Sequence, residues 1–323
     1  MLYIIIAFIK KWALPLGMIS GVLVYLLFHC LSILNPVKPF AEKVGTHLIP
    51  ILVFTMLFIT FCKIAPKKMQ IYRWHFVLVT VQLFSCVLIA LFLHFFPEFR
   101  YKIVMEGVMV CLIAPTATAA AVITGNLGGN ESSLTTYTIF SNIAVAVIIP
   151  LAFPLVENSE KGTLVQQFVI ILQHVFPLLI CPFFAAWGLR IFFPKAHVRI
   201  LQFCSNLAFY LWAISLIIVI GQTLRSLVNS TVETHIQWLL AISGLVVCVL
   251  QFAAGKIIGG HYHDRISAGQ GLGQKNTVFA IWISYTYLSP VVSVAPSSYI
   301  LWQNIINSWQ LWRIQKKKKK QIL

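Results

Sequence analysis

Charged residues are scarce in this sequence, and acidic residues are the scarcest of all. Asp and Glu together number 8, and charged residues make up 10% of the chain, whereas soluble domains contain about 25%. Apolar residues account for 59%, and no polar stretch is long enough to fold as a separate soluble domain. These proportions exclude an ordinary soluble protein and predict a chain that lies in a lipid bilayer.

The sequence also lacks the motifs of ATP-driven transport and of common enzymes. It contains no glycine-rich nucleotide loop, no nucleophile triad and no HExxH zinc motif. Its 7 cysteines lie within apolar stretches without a CxxC pair, which is typical of small packing residues in membrane helices. We therefore predict that the protein is not an enzyme, with no catalytic residue, no metal site and no cofactor.

Apolar stretches long enough to cross a bilayer recur along the whole chain. A membrane core about 30 Å thick requires roughly 20 apolar residues in a helix. We therefore predict that residues 1–323 form a single, all-α transmembrane domain. Its ten membrane-spanning helices are expected near residues 12–34, 45–64, 75–96, 104–125, 134–156, 164–192, 201–224, 235–257, 267–289 and 292–312.

The basic residues are distributed unevenly between the loops. With the N-terminus inside, 17 of the 24 Lys and Arg residues fall on the cytoplasmic side, and 6 fall on the other side. The cytoplasmic set includes Lys10, Lys11, Lys67, Lys68 and the basic tail 313–323. This bias predicts that both termini are cytoplasmic, in what we expect to be a bacterial inner membrane. The net charge of +16 is assigned to contact with lipid head groups, so no nucleic-acid partner is predicted.

Ten helices with both ends inside can be divided into two five-helix halves of opposite orientation. We predict inverted repeats over about 12–156 and 164–312, an architecture common among secondary transporters. Such transporters place their binding site at interrupted helices in matching positions of the halves. Predicted helix 4 contains Pro115 followed by small residues, and predicted helix 9 reads ISAGQGLGQKNTVFAIW. We expect both helices to be unwound, near residues 115–119 and 271–275, and to cross near the membrane midplane.

An interrupted membrane helix frees backbone groups that lipid cannot satisfy. The freed N–H groups at the start of a half-helix attract anions, and freed carbonyls at an end attract cations. We therefore expect residues 116–118 and 275–277 to face a cavity for an organic anion. Pro115 alone is equally consistent with a simple kink in a packed helix, and the matching polar stretch in predicted helix 9 favours the binding site.

Lys275 is the most informative single residue, because it lies inside a predicted helix. A lysine at this depth costs about 2.5–3.5 kcal/mol on insertion scales, and therefore usually marks a pathway, a partner or a substrate. The alternative is that it extends to the membrane surface from a displaced helix boundary. Its polar neighbours Gln270, Gln274, Asn276 and Thr277 favour an interior position.

Several short motifs resemble the bile acid:sodium symporter family. They are the stretch around Pro115, the Gly129–Asn130 pair with the Thr-rich start of predicted helix 5, residues 270–274, and Trp302-Gln303-Asn304. The resemblance implies a panel domain and a core domain, with helices 4 and 9 crossing in the core. Combined with the interruptions, it indicates substrate-binding residues Pro115, Thr116, Thr118, Gln274, Lys275, Asn276, Thr277 and Asn304.

The departures from the family pattern fall on its sodium sites. The resemblance implies ion-site positions Gln82, Ala120, Ala121, Thr138, Gln270 and Gln274. A Ser-Asn pair of the family is replaced by Ala120 and Ala121, its shared glutamate by Gln270, and an asparagine by Lys275. Sodium needs a cage of oxygens and benefits from an anionic ligand. Sodium coupling is therefore disfavoured, although a sodium ion is not excluded by the sequence.

The sequence thus predicts a symporter or facilitator for a small organic anion, embedded in the lipid bilayer. Two other functions stay open: a channel that uses the same interrupted helices, and, less favoured, a membrane-embedded enzyme. A neighbouring class of arsenite carriers uses a cysteine in helix 4, but Cys111 precedes the interruption. The sequence gives no indication of the substrate or of the oligomeric state.

Overall fold

The computed structural model describes residues 13–64, 69–156, 163–204 and 207–322. These residues form α-helices with two short 3-10 turns, Ser32–Val37 and Pro290–Ser293, and no strand beyond an isolated bridge. The helices are α1 Ala13–Cys30, α2 Lys38–Cys62, α3 Arg73–Phe95, α4 Lys102–Ile113, α5 Ala120–Asn126, α6 Glu131–Val156, α7 Leu164–Phe192, α8 Pro194–Phe203, α9 Leu207–Val228, α10 Thr234–His261, α11 Arg265–Gly273, α12 Thr277–Tyr287 and α13 Val294–Ile322.

The all-α membrane class is confirmed. Within the described residues, 6 helices are long and apolar enough to cross a membrane: α2 with its preceding 3-10 turn, α3, α6, α7, α9 and α10. Each of the ten predicted segments also contains helix, and predicted helices 4 and 9 each correspond to two short helices. Five of the basic residues used to predict the orientation lie outside the described residues: Lys10, Lys11, Lys67, Lys68 and Lys161.

Several predicted boundaries differ from the structure, among them the start of α2 at Lys38 instead of residue 45, and two of the differences have a local reason. Predicted helix 7 begins at residue 201, but the structure has a separate helix α8 there, and α9 begins at Leu207. Pro194 starts α8 because proline has a helical φ and needs no hydrogen-bond partner at the first position. Predicted helix 10 ends at residue 312, whereas α13 continues to Ile322. Lys, Arg and Gln are good helix formers, and cations are favoured at a helix C-terminus.

The chain divides into two compact units. The smaller unit comprises residues 1–63 and 182–231, and the larger unit comprises residues 64–181 and 232–323. In the smaller unit, α1 packs against α9 where Gly21 lies beside the Ile217 carbonyl. A Cβ at Gly21 would lie 2.8 Å from that oxygen, so only glycine permits this close approach. The larger unit contains both interrupted helices.

Small residues bring the backbones of α10 and α11 together in the larger unit. Gly255 and Gly259 on α10 are separated by one helical turn and face Ala268 of α11. Such small-residue pairs allow membrane helices to approach closely and to gain van der Waals contact. The resulting contact places α11, and with it the second interruption, directly against α10.

We predict that Gly255→Ala destabilises the larger unit. The added methyl would lie 2.5 Å from the Ala268 carbonyl oxygen, so the helices must separate, at a cost of about 1–3 kcal/mol. The matched control is Gly260→Ala in the same helix, where a Cβ meets no atom within 4 Å. The thermal unfolding midpoint in detergent should fall for Gly255→Ala and stay constant or rise slightly for Gly260→Ala. Equal midpoints for the two variants would contradict this packing.

Candidate functional site at two interrupted helices

The first interruption separates α4 from α5. Helix α4 ends at Ile113, and Ala114 adopts an extended conformation with φ −46° and ψ 135°. The cause is Pro115, since a proline disfavours the helical conformation of the preceding residue and cannot donate a backbone hydrogen bond. Helix resumes at Ala120. The prediction of unwinding near residues 115–119 agrees with this geometry.

The second interruption separates α11 from α12 and is shorter than predicted. Residues 271–273 are still helical, and only residues 274–276 leave the helix. The glycines serve packing instead of unwinding, because a Cβ at Gly271 would lie 2.8 Å from the Tyr137 ring. Asn276 starts the new helix, since its side-chain oxygen accepts the backbone N–H of Phe279 at 3.2 Å.

The two interruptions pair with each other in an antiparallel arrangement. Thr116 and Lys275 form an isolated β-bridge. The Ala117 N–H donates to the Gln274 carbonyl at 2.9 Å, and the Asn276 N–H donates to the Pro115 carbonyl at 2.7 Å. Each break therefore satisfies backbone groups that the other break has freed, as a break at membrane depth requires.

The carbonyls at the end of α4 are satisfied by side-chain donors from α3 and from the second interruption. The Gln82 Nε2 donates to the carbonyls of Ile113 and Ala114 at 2.7 and 3.0 Å. The Lys275 Nζ donates to the Leu112 carbonyl at 3.1 Å. Three consecutive carbonyls at the negative end of a helix thus accept N–H groups, one of them an ammonium.

Lys275 lies in the interior of the larger unit, where its side chain is 1% exposed. This excludes the alternative in which it extends to the membrane surface. Among the described residues no carboxylate lies within ion-pair distance of it. Its backbone N–H donates to the Gln303 Oε1 at 2.9 Å. The site therefore holds a buried lysine whose one side-chain hydrogen bond is to a backbone carbonyl.

Further polar side chains hold the interruptions in place. The Thr116 hydroxyl donates to the Gly271 carbonyl at 2.8 Å, and the Ser141 hydroxyl accepts the Thr116 N–H at 3.3 Å. The Tyr299 hydroxyl donates to the Gly273 carbonyl at 2.7 Å. Sequence reasoning missed Ser141, Tyr299 and Gln303 as contributors. Gln303 lies within the quoted Trp-Gln-Asn motif, so that motif contained its signal.

The predicted substrate-binding residues fall into two groups. Those at or beside the paired interruptions are Pro115, Thr116, Gln274, Lys275, Asn276 and Thr277, with Thr118 half-exposed in the first interruption. Asn304 is not among them, because its amide donates to the Ile300 carbonyl of its own helix at 2.7 Å. The neighbouring Gln303 contacts the second interruption, because its Oε1 accepts the Lys275 N–H.

The expected role of the half-helix N–H groups needs correction. The N–H groups of Thr116, Ala117, Lys275, Asn276 and Thr277 all donate to acceptors within the protein. Because these donors are already paired, they are not available to an anion. The ammonium of Lys275 remains as a feature that could attract an anion at this place.

The positions matched to the family's ion sites have protein partners or apolar surroundings. Ala120 lies in a hydrophobic cluster with Trp74, Leu78 and Tyr137, and Ala121 packs against it. The Thr138 hydroxyl donates to the Leu134 carbonyl of its own helix at 3.0 Å. The Gln270 Nε2 donates to the Asn307 Oδ1 at 3.0 Å. The Oε1 atoms of Gln270 and Gln274 are buried and have no partner in the protein.

Comparison with protein families agrees with this arrangement. Residues 50–230, more than half of the chain, match the sodium bile acid symporter family. The protein belongs to this family. No individual curated protein matches the chain. The family assignment confirms the resemblance and makes the protein an integral membrane protein of a transporter family. The matched region includes the first interruption and ends before the second, so the chemistry of Lys275 has to be argued from its own contacts.

We predict that Gln82→Leu loosens the first interruption in this symporter-family protein. The substitution removes the side-chain donor from two buried carbonyls, which should lower the free energy of unfolding by about 1–3 kcal/mol. The control is Ser85→Ala, because the Ser85 hydroxyl donates to the Val81 carbonyl of its own helix at 2.7 Å. Hydrogen exchange of residues 114–117 should accelerate in Gln82→Leu alone. Unchanged exchange there would show that Gln82 does not support the break.

Proposed function

We propose that this protein is a secondary transporter that moves a small organic anion across the membrane by alternating access. The family match supports transport, and the paired interruptions resemble the sites of transporters built from inverted repeats. We further propose ten membrane-spanning helices in two such repeats within one domain. In this topology α4 with α5 is the counterpart of α11 with α12, and both termini face the cytoplasm of a bacterium.

The buried ammonium of Lys275 is the observation that carries the proposal. An ammonium inside a membrane protein is costly unless a partner of opposite charge accompanies it. No carboxylate within the described residues supplies that partner. An anionic substrate would supply it. Two opposite unit charges 5 Å apart attract by about 3 kcal/mol at an effective dielectric of 20, which is roughly a hundredfold in affinity.

The substrate is proposed to bind on the open side of the first interruption. Thr118 is half-exposed and Ala119 is exposed, whereas Thr116 is fully buried. Thr116 pairs with Lys275, so Thr118 lies two residues from the bridge. An anion beside Thr118 would therefore be within range of the ammonium. The other proposed contacts are Pro115, Gln274, Asn276 and Thr277.

Sodium coupling of the family type is not part of this proposal. Gln82 and Lys275 already donate to the carbonyls at the end of α4, and Ala120 lies in an apolar cluster. At the positions matched to the family's ion sites, the Oε1 atoms of Gln270 and Gln274 have no hydrogen-bond partner in the protein, and both are neutral. A sodium ion close to the ammonium would also be repelled by about 3 kcal/mol at 5 Å. Lys275 therefore takes the place of the cation.

We predict uptake of an organic anion that does not depend on sodium. Purified protein in liposomes is tested with labelled taurocholate, pantoate and pyruvate, with external sodium, potassium or choline. At least one anion should accumulate above protein-free liposomes, and its rate should be the same within about twofold in the three salts. Lys275→Ala should lower this uptake by roughly a hundredfold, whereas Lys43→Ala, at an exposed position of α2, should not.

Three results would count against the proposal. Absence of uptake for every anion tested would argue against anion transport by this chain. Steep dependence on sodium would argue against the replacement of sodium by Lys275, whatever the effect of Lys275→Ala. A neutral methyl ester transported as well as its parent acid would show that charge is not recognised.

A further inference from the structure

A row of unpaired amide groups leads away from Lys275. On α11, at its C-terminal end and on α13, four buried side-chain atoms have no hydrogen-bond partner in the protein: the Oε1 of Gln270, the Oε1 of Gln274, the Nδ2 of Asn307 and the Nε2 of Gln310. Gln270 and Gln274 are four residues apart on one side of α11 and its end. Asn307 and Gln310 are three residues apart on one face of α13.

The two helices meet through these amides. The Gln270 Nε2 donates to the Asn307 Oδ1 at 3.0 Å. Gln303, one turn before Asn307 on the same face of α13, accepts the Lys275 N–H. Gln303, Asn307 and Gln310 therefore form a continuous row on α13. It begins at Lys275 and runs towards the basic C-terminal end of the chain.

The unpaired atoms are of the kind that binds water. Buried polar groups in proteins almost always have a partner, which is either protein or an ordered water. Two acceptors and two donors lie in this row, and a buried water needs two to four such partners. No charged side chain belongs to the row, so neither a metal ion nor a substrate anion is favoured there.

The backbone N–H of Lys275 lies at the inner end of this row, and its ammonium, which donates to the Leu112 carbonyl, has no charged partner in contact among the described residues. Glu106 of α4 is six residues before Leu112, about 9 Å away along the helix axis. Other carboxylates on or next to the surrounding elements are Glu131 at the start of α6, Glu233 before α10 and Asp264 before α11. The further titratable groups on these elements include Cys111 of α4, Cys248 and Lys256 of α10, Tyr299 of α13, His75 of α3 and Tyr137 of α6.

We propose that Lys275 takes up and releases one proton in each transport cycle, through waters held by Gln270, Gln274, Asn307 and Gln310. The inference rests on the proposed anion transport. A bound anion stabilises the ammonium, and the ammonium stabilises the anion, so the two binding events are linked reciprocally. The proton passes from water to the Nζ lone pair and returns to water on release. One proton then accompanies one negative charge, and transport of a monovalent anion is electroneutral.

The experiment uses the full-length protein in sodium-free liposomes that contain a trapped pH dye. The probe is whichever of taurocholate, pantoate and pyruvate the unmodified protein takes up fastest. Acid outside should accelerate uptake by at least about fivefold, which is the lower end of the usual coupling between two binding events. Addition of the anion should acidify the lumen. Lys275→Arg keeps the charge but does not lose its proton. Whatever rate of anion exchange this variant retains should not rise when the outside is made acidic.

Two variants, Asn307→Leu and Gln310→Leu, test the row of amide groups. The control is Ser308→Leu, at an exposed position of the same helix. The first two should reduce the dye signal several-fold and leave anion exchange at equal pH intact. Uptake by the unmodified protein without acidification of the lumen would overturn the inference and leave anion transport standing. An undiminished dye signal in Asn307→Leu and Gln310→Leu would overturn the role of the amide row. No uptake of any of the three anions would overturn both proposals.

Discussion

The backbone hydrogen bonds of two broken helices are the constraint on which the rest of this site depends. Lipid offers no partner for a free N–H or carbonyl group, so a break persists only where protein or water satisfies it. Here the breaks at residues 114–119 and 274–276 exchange backbone hydrogen bonds through Ala117 and Asn276. The three carbonyls that remain accept from Gln82 and Lys275. Packing, burial and charge at the site follow from this requirement.

The position of the lysine gives the site its electrostatic character. The end of α4 carries a partial negative charge, and the Lys275 Nζ donates to the Leu112 carbonyl there. The balance of charge is partial, since a full positive charge meets only carbonyl dipoles. In the proposed function this excess attracts a ligand of negative charge. Recognition by free half-helix N–H groups is ruled out at the paired positions, because their donors already have acceptors.

The sequence was sufficient for those features that depend on local chemistry. Pro115 predicted the first break, the polar stretch around Lys275 predicted the second, and the apolar lengths predicted helix in all ten segments. The sequence was insufficient where contacts between residues far apart in the chain determine the local structure. Gly271 and Gly273 remain helical because Tyr137 and Phe252 pack against them, and no local pattern reveals that. The choice of Gln303 over Asn304 depends on the rotation of α13 relative to Lys275, which a motif of three residues does not determine.

A tethered cation differs from a dissolved one in the work that it can do. A sodium ion that binds and leaves in each cycle transfers the energy of its gradient to the substrate. A lysine never leaves the protein, so as a permanent charge it would permit only equilibration of the anion across the membrane. Accumulation requires something that dissociates, and for an ammonium that is its proton. An arginine would satisfy the Leu112 carbonyl as well, yet it does not titrate. The unpaired amide atoms of Gln270 and Asn307 can hold water. They therefore favour a lysine that gains and loses its proton over a lysine that stays permanently charged.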